Sequence, residues 1–221
     1  MRTQIRIVAG DLRGRKLTCT VNPDLRPTPQ RVREALFSIL GNAVPDRAFF
    51  DVFAGTGVVG LEALSRGASA VTFVERDFRL IADLERHIQA FGVAGRARIA
   101  RGDVYRWIER WQAPDDPVTV FLSPPFRDFE HRLDGLLNVI ALLQRHVAPG
   151  SVLVLQAEDT AMLDELPARA EWDERRYGRN VLLIWVKEVG VRGQGSGVRD
   201  HQTGEGDQES ENSGSSMPAD P

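Results

Sequence analysis

Cysteine and lysine are nearly absent from this chain of 221 residues. Cys19 is the single cysteine, which excludes a disulfide framework and a multi-cysteine zinc site. Lys16 and Lys187 are the only lysines, so 26 of the 28 basic residues are arginine. No apolar run approaches the roughly 18–20 residues that a membrane span requires. Met1–Gly10 has no apolar h-region, so a secretory signal is not expected. What remains, 42% hydrophobic and 27% charged, suffices for one core of ordinary size. A soluble cytoplasmic protein is the expectation.

The net charge of −3 averages two unlike parts. From Glu188 onward there are 2 arginines and 7 acidic residues, leaving residues 1–187 at +2; Met1–Ala35 carries 8 basic and 3 acidic residues. The stretch Gly190–Pro221 is rich in Gly, Ser, Gln and acids and poor in apolar residues. It cannot offset its chain entropy by burial and is expected to be disordered. Three segments are therefore expected: a basic N-terminal β-hairpin extension over 1–28, a catalytic domain over 29–187 and an acidic Gly/Ser-rich tail over 188–221.

Residues 1–187 alternate between strand-like and helix-like patterns. Ile5–Ala9 and Lys16–Val21 read as a hairpin around Gly10–Gly14. Pro29–Leu40 has helical apolar spacing, with Thr28 as N-cap and Pro29 at the first position. Strands are expected at Ala48–Phe53, Ala70–Glu75, Ala97–Ala100, Val118–Leu122 and Ser151–Gln156, separated by helices to about Ser65 and at Phe78–Phe91, Val104–Trp111 and Leu133–His146. Trp172–Tyr177 and Asn180–Val186 close the pattern as an antiparallel pair. This is an α/β fold, a mostly parallel sheet with helices on both faces, whose ligands bind beyond the C-terminal strand ends.

Three motifs lie at those ends. The first is Asp51-Val-Phe-Ala-Gly-Thr-Gly57, with Glu75 placed 20 residues after Gly55. The turn residues Phe53, Ala54, Gly55 and Gly57 would cradle a nucleotide-like ligand, with Glu75 on ribose hydroxyls. Spacing alone also fits a dinucleotide. Two residues favour S-adenosylmethionine (SAM) over NAD. Asp51 can face an ammonium group, whereas a pyrophosphate there would be repelled. Asp103, after the third strand, can accept from an adenine amine, cap the following helix, or both. A Tyr-x-x-x-Lys pair, as a dehydrogenase would use, is absent.

The second motif is Ser123-Pro124-Pro125-Phe126. The diproline turn fixes the backbone, Ser123 offers oxygen acceptors to an amine, and Phe126 can stack on a base. The third is Leu25-Arg26-Pro27-Thr28 followed by Arg31-Val-Arg33. With Arg13, Arg15 and Lys16 of the hairpin, Arg26, Thr28, Arg31 and Arg33 form a basic set suited to RNA phosphates. The alternative is a solvated face, or an Arg–Glu pair inside the protein.

Together these motifs resemble the RsmD family of bacterial 16S rRNA (guanine-N(2))-methyltransferases. The resemblance rests on Arg6-Ile-Val-Ala-Gly-Asp-Leu-Arg-Gly-Arg-Lys-Leu17, Leu25–Thr28, Arg31-Val-Arg-Glu-Ala-Leu-Phe37, Asp51–Gly57, Gly60-Leu-Glu-Ala-Leu-Ser-Arg-Gly-Ala68, Phe73-Val-Glu75 and Pro124-Pro-Phe126. It spans roughly Arg2–Lys187. It implies a seven-stranded Rossmann-like sheet with an N-terminal hairpin, and SAM-dependent methylation of a guanine 2-amino group. The implied substrate is 16S rRNA in an assembled or assembling small subunit, and a monomeric enzyme is expected, with no metal. The chain departs from the family at Ser123, where an Asp or Asn is usual, and at His87-Ile88, where Asn-Leu is usual. Ser-Pro-Pro-Phe occurs in related enzymes acting on cytosine amines. A cytosine or adenine target, or a catalytically weak RNA-binding assembly factor, therefore stays open at this point.

Overall fold

The computed structural model describes residues 2–20, 27–158 and 163–189. Arg26 and the segment from Gly190 onward lie outside the described residues, and with them the expected tail.

Two sheets are present among the described residues. β1 (Arg2–Arg6) and β2 (Lys16–Thr20) pair as an antiparallel hairpin with Arg6 opposite Lys16. The strand runs Arg2–Arg6 and not Ile5–Ala9: Ile7 still bonds to Arg15 and Gly14 across the hairpin, and from Ala9 on the backbone turns to Ser65. The Ala9 carbonyl accepts from the Ser65 hydroxyl at 2.5 Å, and the Asp11 N–H donates to the Ser65 carbonyl at 2.8 Å. Gly10, at φ +79°, crosses this contact where a Cβ would sit 1.7 Å from the Ser65 carbonyl oxygen. The hairpin is thus bolted to the end of a buried helix.

The large sheet contains β3 (Ala48–Val52), β4 (Ala70–Glu75), β5 (Ala97–Arg101), β6 (Thr119–Leu122), β7 (Val152–Glu158), β8 (Asp173–Tyr177) and β9 (Asn180–Val186). Their order is β5-β4-β3-β6-β7-β9-β8. β3 to β7 are mutually parallel, and β9 runs antiparallel to both neighbours. β6 is buried throughout, as expected for strands covered on both faces. Alternate residues feed two cores. Phe49, Phe121 and Val154 join the layer under α1 (Gln30–Leu40), α2 (Val58–Ser65) and α3 (Phe78–Ala90). Phe50, Leu122 and Leu155 join the layer under α4 (Val104–Trp107) and α6 (Leu133–His146). Connections leave β3 for β4 on one side while β6 pairs on the other, so a crevice opens beyond the C-terminal ends of β3 and β6.

Several boundaries differ from the sequence pattern, each for a visible reason. β3 ends at Val52 because Phe53 takes φ +63°, which no strand tolerates. The helix expected over Val104–Trp111 is α-helical only to Trp107 and continues as a 3-10 turn over Ile108–Arg110. A short helix, α5 (Phe126–His131), starts directly after the diproline; its Asp128 N–H donates to the Pro125 carbonyl at 2.8 Å. Thr28 does not cap α1. Pro29 holds that position, and the Thr28 hydroxyl donates to Gln156 Oε1 at 2.8 Å instead. No helix among the described residues is long and apolar enough to cross a membrane.

One buried ion cluster joins the first three elements. Glu62 of α2 is fully buried and receives Arg33 Nε at 3.0 Å and Arg66 Nη2 at 2.8 Å. Arg33 also donates to the carbonyls of Thr28 (2.7 Å) and Arg6 (2.8 Å). Hairpin, α1 and α2 therefore share one guanidinium. Replacing Glu62 by Gln strands that cation in the core. A loss of about 3–5 kcal/mol in unfolding free energy is expected, measurable by urea titration, while Glu34→Gln on the exposed face of α1 serves as a neutral reference.

Candidate active site

A cavity of about 210 Å³ lies over the crevice, bordered by residues from the ends of β3, β4, β5, β6 and β7. Its floor is the turn after β3. Phe53 and Gly55 both take positive φ (+63° and +55°), which turns the Gly55 amide toward the Glu75 carboxylate. Glu75 Oε2 accepts that N–H at 2.7 Å, while Oε1 accepts the N–H groups of Arg76 and Asp77, each at 2.8 Å. A carboxylate with four acceptor positions keeps one for a ligand hydroxyl.

Asp51 is 1% exposed and borders the same cavity. Its Oδ2 accepts the Gly60 N–H at 2.8 Å. Burial raises its pKa to about 7; the Gly60 bond opposes this and the nearby Glu75 charge adds to it. A buried carboxylate held so close to neutrality favours a cationic ligand.

Asp103 caps α4, as one of its two expected roles requires, accepting the Tyr105 N–H at 2.9 Å, and it stands beside the cavity. Its other oxygen pairs with Arg76 (3.1 Å) and Arg132 (3.4 Å). Burial pushes its pKa up, but Tyr105, Arg132 and Arg76 outweigh that and hold it below the usual carboxylate range.

Ser123, Pro124, Pro125 and Phe126 all line the opposite wall. The Ser123 N–H donates to the Val52 carbonyl at 3.2 Å, which pins the start of the diproline turn to the end of β3. The motif after β6 and the turn after β3 are thus held in register by the sheet itself.

Gly57 departs from expectation, since it does not border the cavity. Its N–H closes the turn onto the Ala54 carbonyl at 2.8 Å, and a Cβ there would meet Leu84 of α3 at 2.4 Å. The missing side chain allows the close approach of α3. Sequence reading also missed Tyr105, Asp128 and Gln156, which share the cavity wall. Tyr105 donates to Asp128 Oδ2 at 2.5 Å, carries the Arg132 guanidinium 3.7 Å above its ring, and meets Phe53 edge-on. Burial, then the Asp128 bond, raise its pKa far above the ordinary phenol value. Gln156 stands near the end of β7, where the strand-end rule would have found it. Asp128 had no such signal, because α5 was unrecognised.

The basic set divides. Arg13, Arg15, Lys16 and Arg31 are exposed, and Arg15 lies over Phe91 at 5.6 Å. Arg33 and Thr28 are 2% and 5% exposed and are corrected here. Arg33 is the cation of the Glu62 cluster, and Thr28 is bonded to Gln156, so neither presents its polar group to a phosphate at the surface. A second groove of about 500 Å³, bordered by Arg6 and Lys16, shares Pro27 and Thr28 with the main cavity. His87, where the family pattern has Asn, is also structural: its Nε2–H donates to the Thr18 carbonyl at 3.0 Å, fastening β2 to α3.

Known proteins share the family and the fold. The family model of Conserved hypothetical protein 95 matches residues 5–186. Ribosomal RNA small subunit methyltransferase D of Escherichia coli (strain K12) is 41% identical over 192 residues, covering 84% of this chain and 91% of that protein. The solved structure of Escherichia coli yhhF is 32% identical, with a TM-score of 0.69 over 85% of this chain and all of that one. An RNA methyltransferase from Salinibacter ruber, solved in complex with S-adenosyl-L-homocysteine, is 18% identical with a TM-score of 0.52 over 75% of this chain and 96% of that one, and shares the fold. By the extent of the match and the order of its motifs around one crevice, the chain belongs to the Conserved hypothetical protein 95 (RsmD) family.

Proposed function

We propose that this protein transfers a methyl group from SAM to the exocyclic 2-amino group of a guanine in 16S rRNA, acting as a monomer on an assembled or assembling small ribosomal subunit. The observation that carries the reading is the meeting of Asp51, Glu75, Asp103 and Ser123-Pro-Pro-Phe126 around one cavity. The relatives named ribosomal RNA small subunit methyltransferase D support the rRNA substrate.

The residues present fit SAM. Asp51 is a buried carboxylate suited to an α-ammonium, Glu75 keeps an acceptor for a ribose hydroxyl, and Asp103 stands where an adenine amine could donate. When bound, SAM supplies a methyl group made electrophilic by its sulfonium. Phe53, Ala54 and Gly55 border the cavity that would hold it.

An aromatic amine is a poor nucleophile because its lone pair is delocalised into the ring. Ser123 Oγ and the neighbouring carbonyls of the diproline turn accept from its two N–H groups and direct the lone pair at the methyl carbon. Phe126 stacks on the base. Catalysis is then chiefly alignment, and a neutral hydroxyl suffices for the acceptor. The base must leave its stack to enter the cavity, and Arg13, Arg15, Lys16 and Arg31 hold the flanking phosphates.

Two outcomes test this reading. The Asp51 carboxyl titrates near pH 7 in the free protein, and an ammonium ligand selects its ionised form. SAM affinity should therefore fall as pH drops from 7 toward 5.5, approaching tenfold per pH unit, and Asp51→Asn should abolish the slope. The amine of SAM gains rather than loses its proton on acidification, so the loss belongs to the protein. Calorimetry across that range checks it; a flat wild-type profile, or no SAM binding, removes the assignment.

Ser123→Ala removes one acceptor and should lower turnover by about 10–100-fold, the equivalent of one hydrogen bond in the transition state, with SAM affinity unchanged. Mass spectrometry of 16S rRNA from cells lacking the protein, before and after complementation, identifies the base. Loss of a methyl from cytosine or adenine with guanines unaffected would replace the guanine assignment, and full complementation by Ser123→Ala would favour an assembly factor.

A further inference from the structure

The sheet is incompletely covered at one edge. β5 is the edge strand, and the segment that follows it is helical for only one turn, Val104–Trp107, before the 3-10 turn Ile108–Arg110. A helix of ordinary length would lie across β4 and β5. In its place is an open groove of about 1090 Å³, larger than the groove beside the hairpin. Phe50, Thr72 and Ala100 form its floor on the sheet.

The walls of this groove carry an excess of positive charge. Arg98, Arg101, Arg106 and Arg110 line it and are all exposed. Arg101 pairs with Glu85. Arg98, Arg106 and Arg110 have no ion-pair partner among the described residues. The carboxylates on the same walls are Glu109 and Asp103, and Asp103 is already held by Arg76 and Arg132. Between the arginines lie Trp107 and Trp111, half-buried, 5.5 Å apart and inclined at 37°. Trp111 is braced edge-on against Phe50 at 5.3 Å.

We propose that this groove binds a single-stranded segment of RNA outside the catalytic cavity. The choice of RNA rests on the proposed function; the groove itself does not. Guanidinium groups in surplus suit phosphates, and braced indole faces suit unpaired bases. A basic surface without aromatics would fit duplex backbone equally well; the part-exposed tryptophans add aromatic surface on which unpaired bases can stack. The groove also adjoins the site, since Gly102 and Asp103 border both it and the cavity. It lies on the α4 and α6 side of the sheet, whereas the hairpin residues Ile7, Leu12 and Leu17 pack into the opposite core layer. A strand held in the groove would be gripped from the side the hairpin does not reach.

The test uses the full chain and a fluorescein-labelled single-stranded RNA 20-mer of mixed sequence, read by anisotropy across a KCl series. Arg98→Gln/Arg106→Gln/Arg110→Gln should weaken binding at least tenfold at 0.1 M KCl. The slope of log affinity against log salt should shrink by about 2, since each single-strand phosphate contact carries about 0.7. SAM affinity by calorimetry should stay at the wild-type value, which also reports that the variant is folded. Arg145→Gln/Arg175→Gln/Arg179→Gln removes the same charge from α6 and the β8–β9 hairpin and should bind RNA nearly as wild type does. Equal loss in both triples would mean that net charge alone is at work and overturns the proposal. Unchanged RNA affinity in the groove triple also overturns it; if that variant then fails only on intact small subunits, the groove serves an acidic protein surface instead. A wild-type protein that binds SAM but neither the 20-mer nor intact small subunits would sink the RNA reading of the whole molecule, which is distinct from either result.

Discussion

A carboxylate at the end of a buried strand sets the terms for this molecule. Asp51 sits in β3, an inner strand of the mostly parallel sheet, and is 1% exposed. Its carboxylate accepts the backbone N–H of Gly60. To deliver that N–H, the chain must turn back over the end of β3 and start a helix at once, and Gly60 must lie flat against the sheet. A Cβ on Gly60 would meet the Phe73 ring at 2.3 Å. The same turn forces Phe53 and Gly55 into positive φ and aims the Gly55 amide at Glu75. Cavity floor, acid pair and helix start are consequences of one buried hydrogen bond.

The charge pattern of the whole chain follows a division of labour. Carboxylates gather inside the cavity, at Asp51, Glu75 and Asp103, where a ligand bearing ammonium, hydroxyl and amino donors would satisfy them. Most arginines lie outside it, Arg76 on its wall being paired with Asp103. Arg33 is the exception that explains how the outside is organised: buried against Glu62, it ties the Arg6 and Thr28 carbonyls together and so sets where the exposed Arg6, Lys16 and Arg31 stand. A buried ion pair of this kind adds little net stability compared with an apolar pair of the same shape. Its use here is to fix the position of a hairpin whose own two strands could not fold alone.

Much of this was legible in the sequence because it rests on local rules. Strand β4 and helix α6 have the limits their patterns indicate, since continuous apolar runs and helical periodicity report burial directly. The Gly-rich turn, Glu75, Asp103 and the diproline motif converge because strand ends in a parallel sheet converge. What local rules could not show was the direction of single side chains. Arg33 and Arg31 are two residues apart on one helix, yet one faces the core and the other water. Arginine in a basic stretch reads as surface until its partner, Glu62, is brought across by the fold. Gly57 reads as ligand contact by spacing, but the approach of Leu84 from another helix decides its role. Asp128 and the arginine groove escaped because a short α5 and a truncated α4 leave weak periodic signals.

Ser123 shares the cavity with the carboxylates. A carboxylate at that position would bring a further negative charge to a cavity that already holds Asp51, Glu75, Asp103 and Asp128. Asp51 already stays near neutrality from burial and from the charge of Glu75. Another anion on the opposite wall would push its carboxyl further toward the protonated form, at the expense of a cationic ligand. A hydroxyl accepts from an amine without that penalty, though more weakly. What the weaker acceptor loses in directing force must be recovered by positioning, since alignment carries most of the rate. This chain offers positioning in abundance: a diproline turn pinned to Val52, a hairpin bolted to Ser65, and arginines on both faces of the sheet.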